Sequence, residues 1–162
     1  MADRIARMNQ EELLKFICNF DPQAKISEKN CSPKAVEIPA SNLVSFMTKL
    51  RDESTLAFDQ LTSHTAVDWV EKNQFELVYI LKSLKHNYSL MVLVSIPRDN
   101  PVIPTLSSVW RIAEFQEREV YDLFGVLYDE HPDLRRLFLE DEWEGFPLRK
   151  DYKDDFILEI EQ

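Results

Sequence analysis

Glycine is nearly absent from this chain. Gly125 and Gly145 are the only two in 162 residues. Neither a G-x-G-x-x-G fingerprint nor a P-loop can be written with them, so a glycine-rich phosphate cradle is excluded. Cysteine is as scarce: Cys18 and Cys31 have no CxxC spacing. That argues against a structural disulfide or an iron–sulfur site, and both are expected to be reduced, buried thiols. No G-x-S-x-G is present, and neither cysteine sits in a nucleophile context. Long apolar runs are missing too. The longest is Leu90 to Val94, far short of the roughly 20 residues that span a bilayer. The start, MADRIARMNQEELL, has no apolar core of signal-peptide type. The expectation is a cytoplasmic protein, or a peripheral component of a complex facing the cytoplasm. Basic charge is in deficit, with 19 Lys+Arg against 29 Asp+Glu, a net charge of −10. Nucleic acid and anionic membrane surfaces, which need a basic footprint, are excluded as partners.

What is present suffices for one core, since 44% of the residues are hydrophobic. The charge is uneven. Residues 111–162 hold 7 basic and 16 acidic side chains, a net of −9, whereas residues 1–110 are close to neutral. The acids are interleaved with Phe, Tyr, Trp, Leu and Arg, which favours an interaction surface over a solubilising tail.

In chain order, Asn9 with Glu12 makes a capping box for a helix whose Leu13, Leu14, Ile17 and Phe20 share one face, stopped by Asp21-Pro22. Ala35 to Pro39 reads as a short strand. Ser41 is placed to cap a second helix, with Leu43, Val44, Phe46, Met47 and Leu50 inward. Three strands follow, over Phe58 to Trp69, Phe75 to Leu84 and Tyr88 to Ile96. The short polar joints between the last two favour antiparallel hairpins over parallel crossovers, which need a dozen or more residues. Pro104 is placed in the first turn of a short helix through Trp110. A clear helix spans Ala113 to Phe124, with Gly125 as its C′ residue. The expected fold is therefore α/β of the α+β kind: a mostly antiparallel four-stranded sheet with helices packed on it. The domain reading is a compact unit over 1–125 and an extended C-terminal arm over 126–162.

The stretch Glu114 to Tyr152 concentrates the chemistry. At ~100° per residue, Ala113, Val120, Leu123 and Phe124 share the core arc of the last helix. Glu114, Arg118 and Asp122 fall opposite at i, i+4, as surface ion pairs. Glu117 lies at the edge of the apolar arc. Phe115 points into the polar face, as a docking residue does. Glu117 and Glu119 diverge by ~200°, so they do not form a catalytic dyad. His131, the one histidine here, lacks the convergent neighbours that a metal needs. In the arm, Arg135, Arg136, Arg149 and Lys150 stand among acids and aromatics, and Arg suits carboxylate pairing at interfaces. The segment Trp143 to Tyr152 either packs back on its own domain or orders across a partner, and its composition favours the partner. The candidate interface residues are thus Phe115, Glu117, Arg118, Glu119, Asp122, His131, Arg135, Arg136, Trp143, Arg149, Lys150, Asp151 and Tyr152. No residue is assigned to catalysis, cofactor or metal.

The run Glu117-Arg118-Glu119-x-x-Asp122-Leu123-Phe124-Gly125, followed by His131-Pro132-Asp133-Leu134-Arg135-Arg136-Leu137, closely resembles the signature of the 30-kDa-subunit family of respiratory complex I. In bacterial NADH–quinone oxidoreductase this family supplies the C subunit, and in the cyanobacterial and chloroplast enzyme the J subunit. Trp143-Glu144-Gly145 and Pro147 to Tyr152 resemble the family's C-terminal motif. Leu61 to Trp69 and Val94 to Pro104 are similar to weaker stretches, so the resemblance covers roughly 34–152. Two positions depart from it: Glu130 stands where relatives commonly have Gly, and Phe146 where many have His. The resemblance implies a compact α/β domain and a long tail. It implies no flavin, iron–sulfur cluster, quinone or NAD site in this chain; FMN, iron–sulfur clusters, NAD and quinone, or nickel–iron, belong to the wider complex. The implied partners are a 49-kDa-type, hydrogenase-like large subunit and neighbouring iron–sulfur subunits, on the cytoplasmic side of the membrane. Related subunits in energy-converting hydrogenases and F420H2 dehydrogenases keep that alternative open. A remoter one is a stand-alone hydrolytic domain using Glu117, Asp122 and His131.

Overall fold

The computed structural model describes residues 8–154. Helix α1 (Gln10–Phe20) begins as its capping box dictates. The Asn9 side chain accepts the N–H groups of Glu11 and Glu12, both at 3.0 Å, and Glu12 Oε2 accepts the Asn9 N–H at 2.8 Å. Its apolar face then buries Leu13, Leu14 and Ile17. Strands β1 (Lys25–Ile26) and β2 (Ala35–Glu37) follow, then α2 (Leu43–Asp52), which buries Leu43, Phe46, Met47 and Leu50. Ser41 does not cap α2. A 3₁₀ turn over Ala40–Asn42 already winds the chain, so α2 starts with no side-chain cap. Asp21 instead ties the two helices: its buried carboxylate accepts from Asn42 Nδ2 at 3.2 Å and Lys49 Nζ at 3.1 Å.

The three long strands are β3 (Gln60–Trp69), β4 (Gln74–Ser83) and β5 (Tyr88–Pro97). They pair antiparallel through short turns whose Asn73 and Asn87 take positive φ, as Asn tolerates. The sheet is mainly antiparallel, with five strands in the order β1-β2-β5-β4-β3. The extra strand, β1, has two residues, too short for any periodicity to show. The β2–β5 pair is parallel. A bulge between Leu61 and Ser63 shifts β3 by one residue. His64, Ala66 and Asp68 thereby face inward along with Leu61. Helices and core occupy that one face of the sheet, where Phe75, Leu77, Tyr79, Leu81, Val92 and Val94 are fully buried.

A second, two-stranded sheet joins segments that sequence reading leaves apart. Strand β6 (Val102–Pro104) pairs in parallel with β7 (Leu127–Asp129). Pro104 thus closes a strand and does not open a helix, and residues 105–112 run on in turns. Trp110 anchors them by donating Nε1–H to the Phe58 carbonyl at 3.2 Å. Helix α3 (Ala113–Phe124) spans its expected residues and ends on Gly125 at φ 76°. Cys18 and Cys31 are free, and only half-buried.

The arm is not extended away from the domain over residues 126–154. It folds back over α3, where the Leu148 N–H donates to the Leu123 carbonyl. Residues 155–162 of the expected arm lie outside the described residues. At the turn after β7, Glu130 holds φ 60°, the left-handed region that glycine occupies at little cost. The departure of Glu130 from the family pattern therefore carries backbone strain. Glu130→Gly is expected to stabilise the chain by about 1 kcal/mol, read as a higher urea midpoint at unchanged slope.

Candidate functional site: the clasp between the last helix and the arm

Four of the charged candidates are internal. Glu117 and Asp122 have no exposed surface, Arg118 is 9% exposed, and the His131 side chain is sealed. The expected surface ion pairs along Glu114, Arg118 and Asp122 are not formed, because the arm covers that face of α3. Solvent is left to α3 at Phe115 and Glu119, not on the face of Arg118 and Asp122.

Asp122 is the centre of the clasp. Its Oδ2 accepts three successive backbone N–H groups, from Leu137 at 3.0 Å, Phe138 at 2.7 Å and Leu139 at 3.0 Å. Its Oδ1 takes Arg136 Nη1 at 2.8 Å. Burial opposes the charge but is outweighed by the Phe138 N–H, the Arg136 guanidinium and the two remaining N–H groups, so the carboxyl titrates below its usual range. One turn back, Arg118 takes the complementary groups. Its Nε donates to the Arg135 carbonyl at 3.1 Å and its Nη2 to that of Arg136 at 3.0 Å. An i, i+4 pair on one helix face thus holds both carbonyls and N–H groups of residues 135–139.

The arm also completes the end of α3. A helix leaves its last four carbonyls without partners, and the last turn of α3 has no basic residue of its own. The Tyr121 carbonyl takes the Gly125 N–H at 2.8 Å and that of Leu123 takes the Leu148 N–H at 3.0 Å. The Asp122 carbonyl takes Arg136 Nη1 at 3.1 Å and that of Phe124 takes Arg149 Nε at 2.6 Å. Two guanidiniums from the arm therefore stand at the negative end of the helix dipole. Phe146 lies beneath them, with Arg136 and Arg149 over its ring at 5.4 and 4.8 Å. A Cβ on Gly125 would come within 2.6 Å of two Phe146 ring atoms. Phe146, the second departure from the family pattern, is a structural aromatic here.

Further along, Arg98 grips Asp68 through Nε at 2.8 Å and Nη2 at 3.2 Å, and also pairs with Asp151. The Lys150 N–H donates to Asp68 at 3.0 Å. Asp68 and Arg98 are not among the sequence candidates, since strict alternation from Leu61 puts Asp68 on the outer face and only the bulge turns it inward. Tyr152 donates to Asp154. Arg135 pairs with Asp133 within the arm. Arg136 also donates to the Trp143 and Gly145 carbonyls. Other candidates do face outward. Phe115 is 53% exposed and Trp143 36%, and Glu119 and Arg135 are exposed.

Glu117 points from α3 into the domain. Oε1 accepts the Leu106 N–H at 2.7 Å, and Oε2 accepts the Thr105 hydroxyl. His131 Nε2 stands 3.8 Å from Oε2, while donating to the Glu114 carbonyl at 3.0 Å. Burial pushes the Glu117 carboxyl up to about 7, against the pull of Thr105 and Leu106. Nearby, His64 stacks on Tyr79 at 4.1 Å, donates Nδ1–H to the Val78 carbonyl and accepts the Tyr128 hydroxyl at Nε2. Burial brings the imidazole down to about 4.

This mixed α+β fold is shared with a chain of the membrane-bound sulfane sulfur reductase, an archaeal respiratory membrane complex. The TM-score is 0.76 at 28% identity, over 88% of this chain and 85% of that one. The family described as respiratory-chain NADH dehydrogenase, 30 Kd subunit, matches residues 36–155, and the chain belongs to it. Over 162 residues it is 41% identical to the C subunit of NADH-quinone oxidoreductase from Ruegeria pomeroyi, covering 99% of this chain and 78% of the relative. Over 120 residues it is 43% identical to the C/D subunit of NADH-quinone oxidoreductase from Phocaeicola vulgatus, covering 74% of this chain and 22% of that longer protein.

Asp122→Ala is expected to cost about 3–5 kcal/mol, because it strands three N–H groups and a guanidinium. Trypsin should then cut after Arg136, while the wild-type chain resists there. Glu117 and His64 set opposed pH slopes. Folded Glu117 keeps its proton to about 7 against an ordinary 4.5, so stability falls as pH rises through that window. Folded His64 stays neutral down to about 4 against an ordinary 6.5, so stability falls as pH drops through that one. The slopes cancel where the windows overlap. Wild-type urea midpoints should change little between pH 5 and 6. With Glu117→Gln, stability should rise across the overlap by about 1.4 kcal/mol per pH unit. A wild-type profile that already rises as steeply as the variant's would show that Glu117 is ionised in the folded chain, and a flat profile in the variant would show that His64 is not held neutral.

Proposed function

We propose that this chain is a non-catalytic structural and assembly subunit of a complex-I-like, proton-translocating quinone oxidoreductase. It sits in the peripheral arm on the cytoplasmic side of the membrane and packs against the hydrogenase-like large subunit and neighbouring iron–sulfur subunits. Flavin, clusters and quinone sites belong to those neighbours. Family membership supports the setting, and among the described residues no helix is long and apolar enough to cross a membrane.

The observation that carries the docking role is what the clasp presents. Its charged groups are consumed in shaping the arm, and the arm turns apolar side chains outward: Phe138 at 65% exposure and Leu148 at 51%, with Trp143 between them in sequence. Glu140, Asp141, Glu142 and Glu144 surround Trp143 along the chain. A tightly bonded loop showing large apolar groups inside a polar rim has the composition of an interface centre. Exposed Phe115 on α3 adds to it.

The second reading, carried by the family resemblance, is that the same scaffold serves an energy-converting hydrogenase or an F420H2 dehydrogenase. The large subunit decides between them: nickel-binding CxxC pairs in it select the hydrogenase type. The hydrolytic alternative has no support in the geometry, since Glu117 and Asp122 both end on internal donors.

Co-expression with the large subunit of the same complex tests the proposal. Phe138→Asp with Trp143→Ala should lower co-purification about tenfold or more while leaving the thermal melt unchanged. Undiminished association, or turnover by the chain alone that disappears with Glu117→Gln, would overturn it.

A further inference from the structure

The helices and core pack on one face of the five-stranded sheet, and the loop between β1 and β2 reaches part of the other, where its Lys29 meets Glu76 on β4. Register sets Thr65, Val78 and Leu93 side by side on the other face, with Ser63, Ile80 and Met91 in the next row. Val67 lies beyond them on β3. Val67, Val78, Ile80 and Met91 are all partly exposed, and none belongs to or packs against the core. Leu93 is 3% exposed, so the open part is an aliphatic strip of these four side chains across β3, β4 and β5.

The charge bordering this strip differs from that of the rest of the molecule. Lys82 stands at one end of β4, and Lys25 lies across on β1, opposite Glu37. At the far end, Trp69 has three ammonium groups over its ring: Lys72 at 5.0 Å, Lys150 at 5.5 Å and Lys29 at 5.7 Å. Among the described residues, only Lys29 of these three pairs with a carboxylate, that of Glu76. Five lysines thus border the strip, beside Glu28, Glu37 and Glu76, in a chain of net charge −10. A second copy packed face to face would meet like charge at either end.

We propose that the open sheet face is a second docking surface, occupied by a partner-protein segment with aliphatic side chains and carboxylates where it meets Trp69. Apolar area supplies the affinity and the lysines select the sign. The proposal rests on the reading that the chain is a subunit of an assembly. It places a second contact on the far side of the sheet from α3, so both faces can be engaged at once.

Three measurements test it. In sedimentation at micromolar concentration, the full chain should be monomeric; a dimer dispersed by Ile80→Glu would overturn the proposal in favour of self-association. On exposure to hydrogen peroxide, Met91 should oxidise in the free chain and be protected in the assembled complex, read by mass spectrometry; equal rates in both would overturn it. Lys72→Glu with Lys150→Glu should lower the yield of assembled complex about tenfold at an unchanged melt, and an unchanged yield would overturn it. The arm variant Phe138→Asp with Trp143→Ala separates the two ideas. If it loses assembly and the lysine variant does not, the subunit reading stands and the sheet-face proposal falls. If neither loses assembly, both fall.

Discussion

One carboxylate oxygen, Oδ2 of Asp122, gathers the N–H groups of Leu137, Phe138 and Leu139. A buried charge is costly unless its hydrogen bonds are complete, and here the arm completes them. The dependence runs both ways. Without the arm the carboxylate is stranded, and without the carboxylate three successive amides have no acceptor. Arg136 links this point to the next, since the same guanidinium reaches Asp122, Trp143 and Gly145. The arm is therefore held as one cooperative unit and not as a series of separate contacts.

This changes what the dense charge of the last third of the chain means. Much of it faces inward and acts as internal wiring. What the arm offers outward is largely apolar or acidic: Phe138, Trp143 and Leu148, among the glutamates of 140–144. Helix α3 serves as a spine with core on one side and arm on the other. A helix so placed can carry Glu117, Arg118 and Asp122 together only because Glu117 meets Thr105 and Leu106 while Arg118 and Asp122 meet the arm.

The elements are legible in the sequence wherever local chemistry decides them. The Asn9–Glu12 capping box, the α3 boundaries and the Gly125 stop are set by residues close together in the chain. The long strands are legible from alternation and short polar joints. Long-range pairing is not. Strand β1, the parallel β2–β5 pair and the β6–β7 sheet each depend on a partner outside the local segment. The charged face of α3 misleads for the same reason. Helical spacing shows that Arg118 and Asp122 are neighbours, but a salt-bridged surface and a buried clasp have the same spacing. Only the arm distinguishes them, and its own lack of periodicity conceals it. Asp68 escapes notice because a one-residue irregularity reverses its facing.

That irregularity, the bulge between Leu61 and Ser63, reaches further than β3. Downstream of it, Asp68 turns inward to meet Arg98 and the Lys150 amide, while Trp69 turns to the opposite face, beneath its lysines. The number of residues in one edge strand therefore acts as a length code for a tether more than eighty positions away. Related chains should be free to vary their loops, yet keep an unaltered residue count from the bulge to Trp69. An insertion or deletion there would exchange which face receives the anchor and which receives the indole.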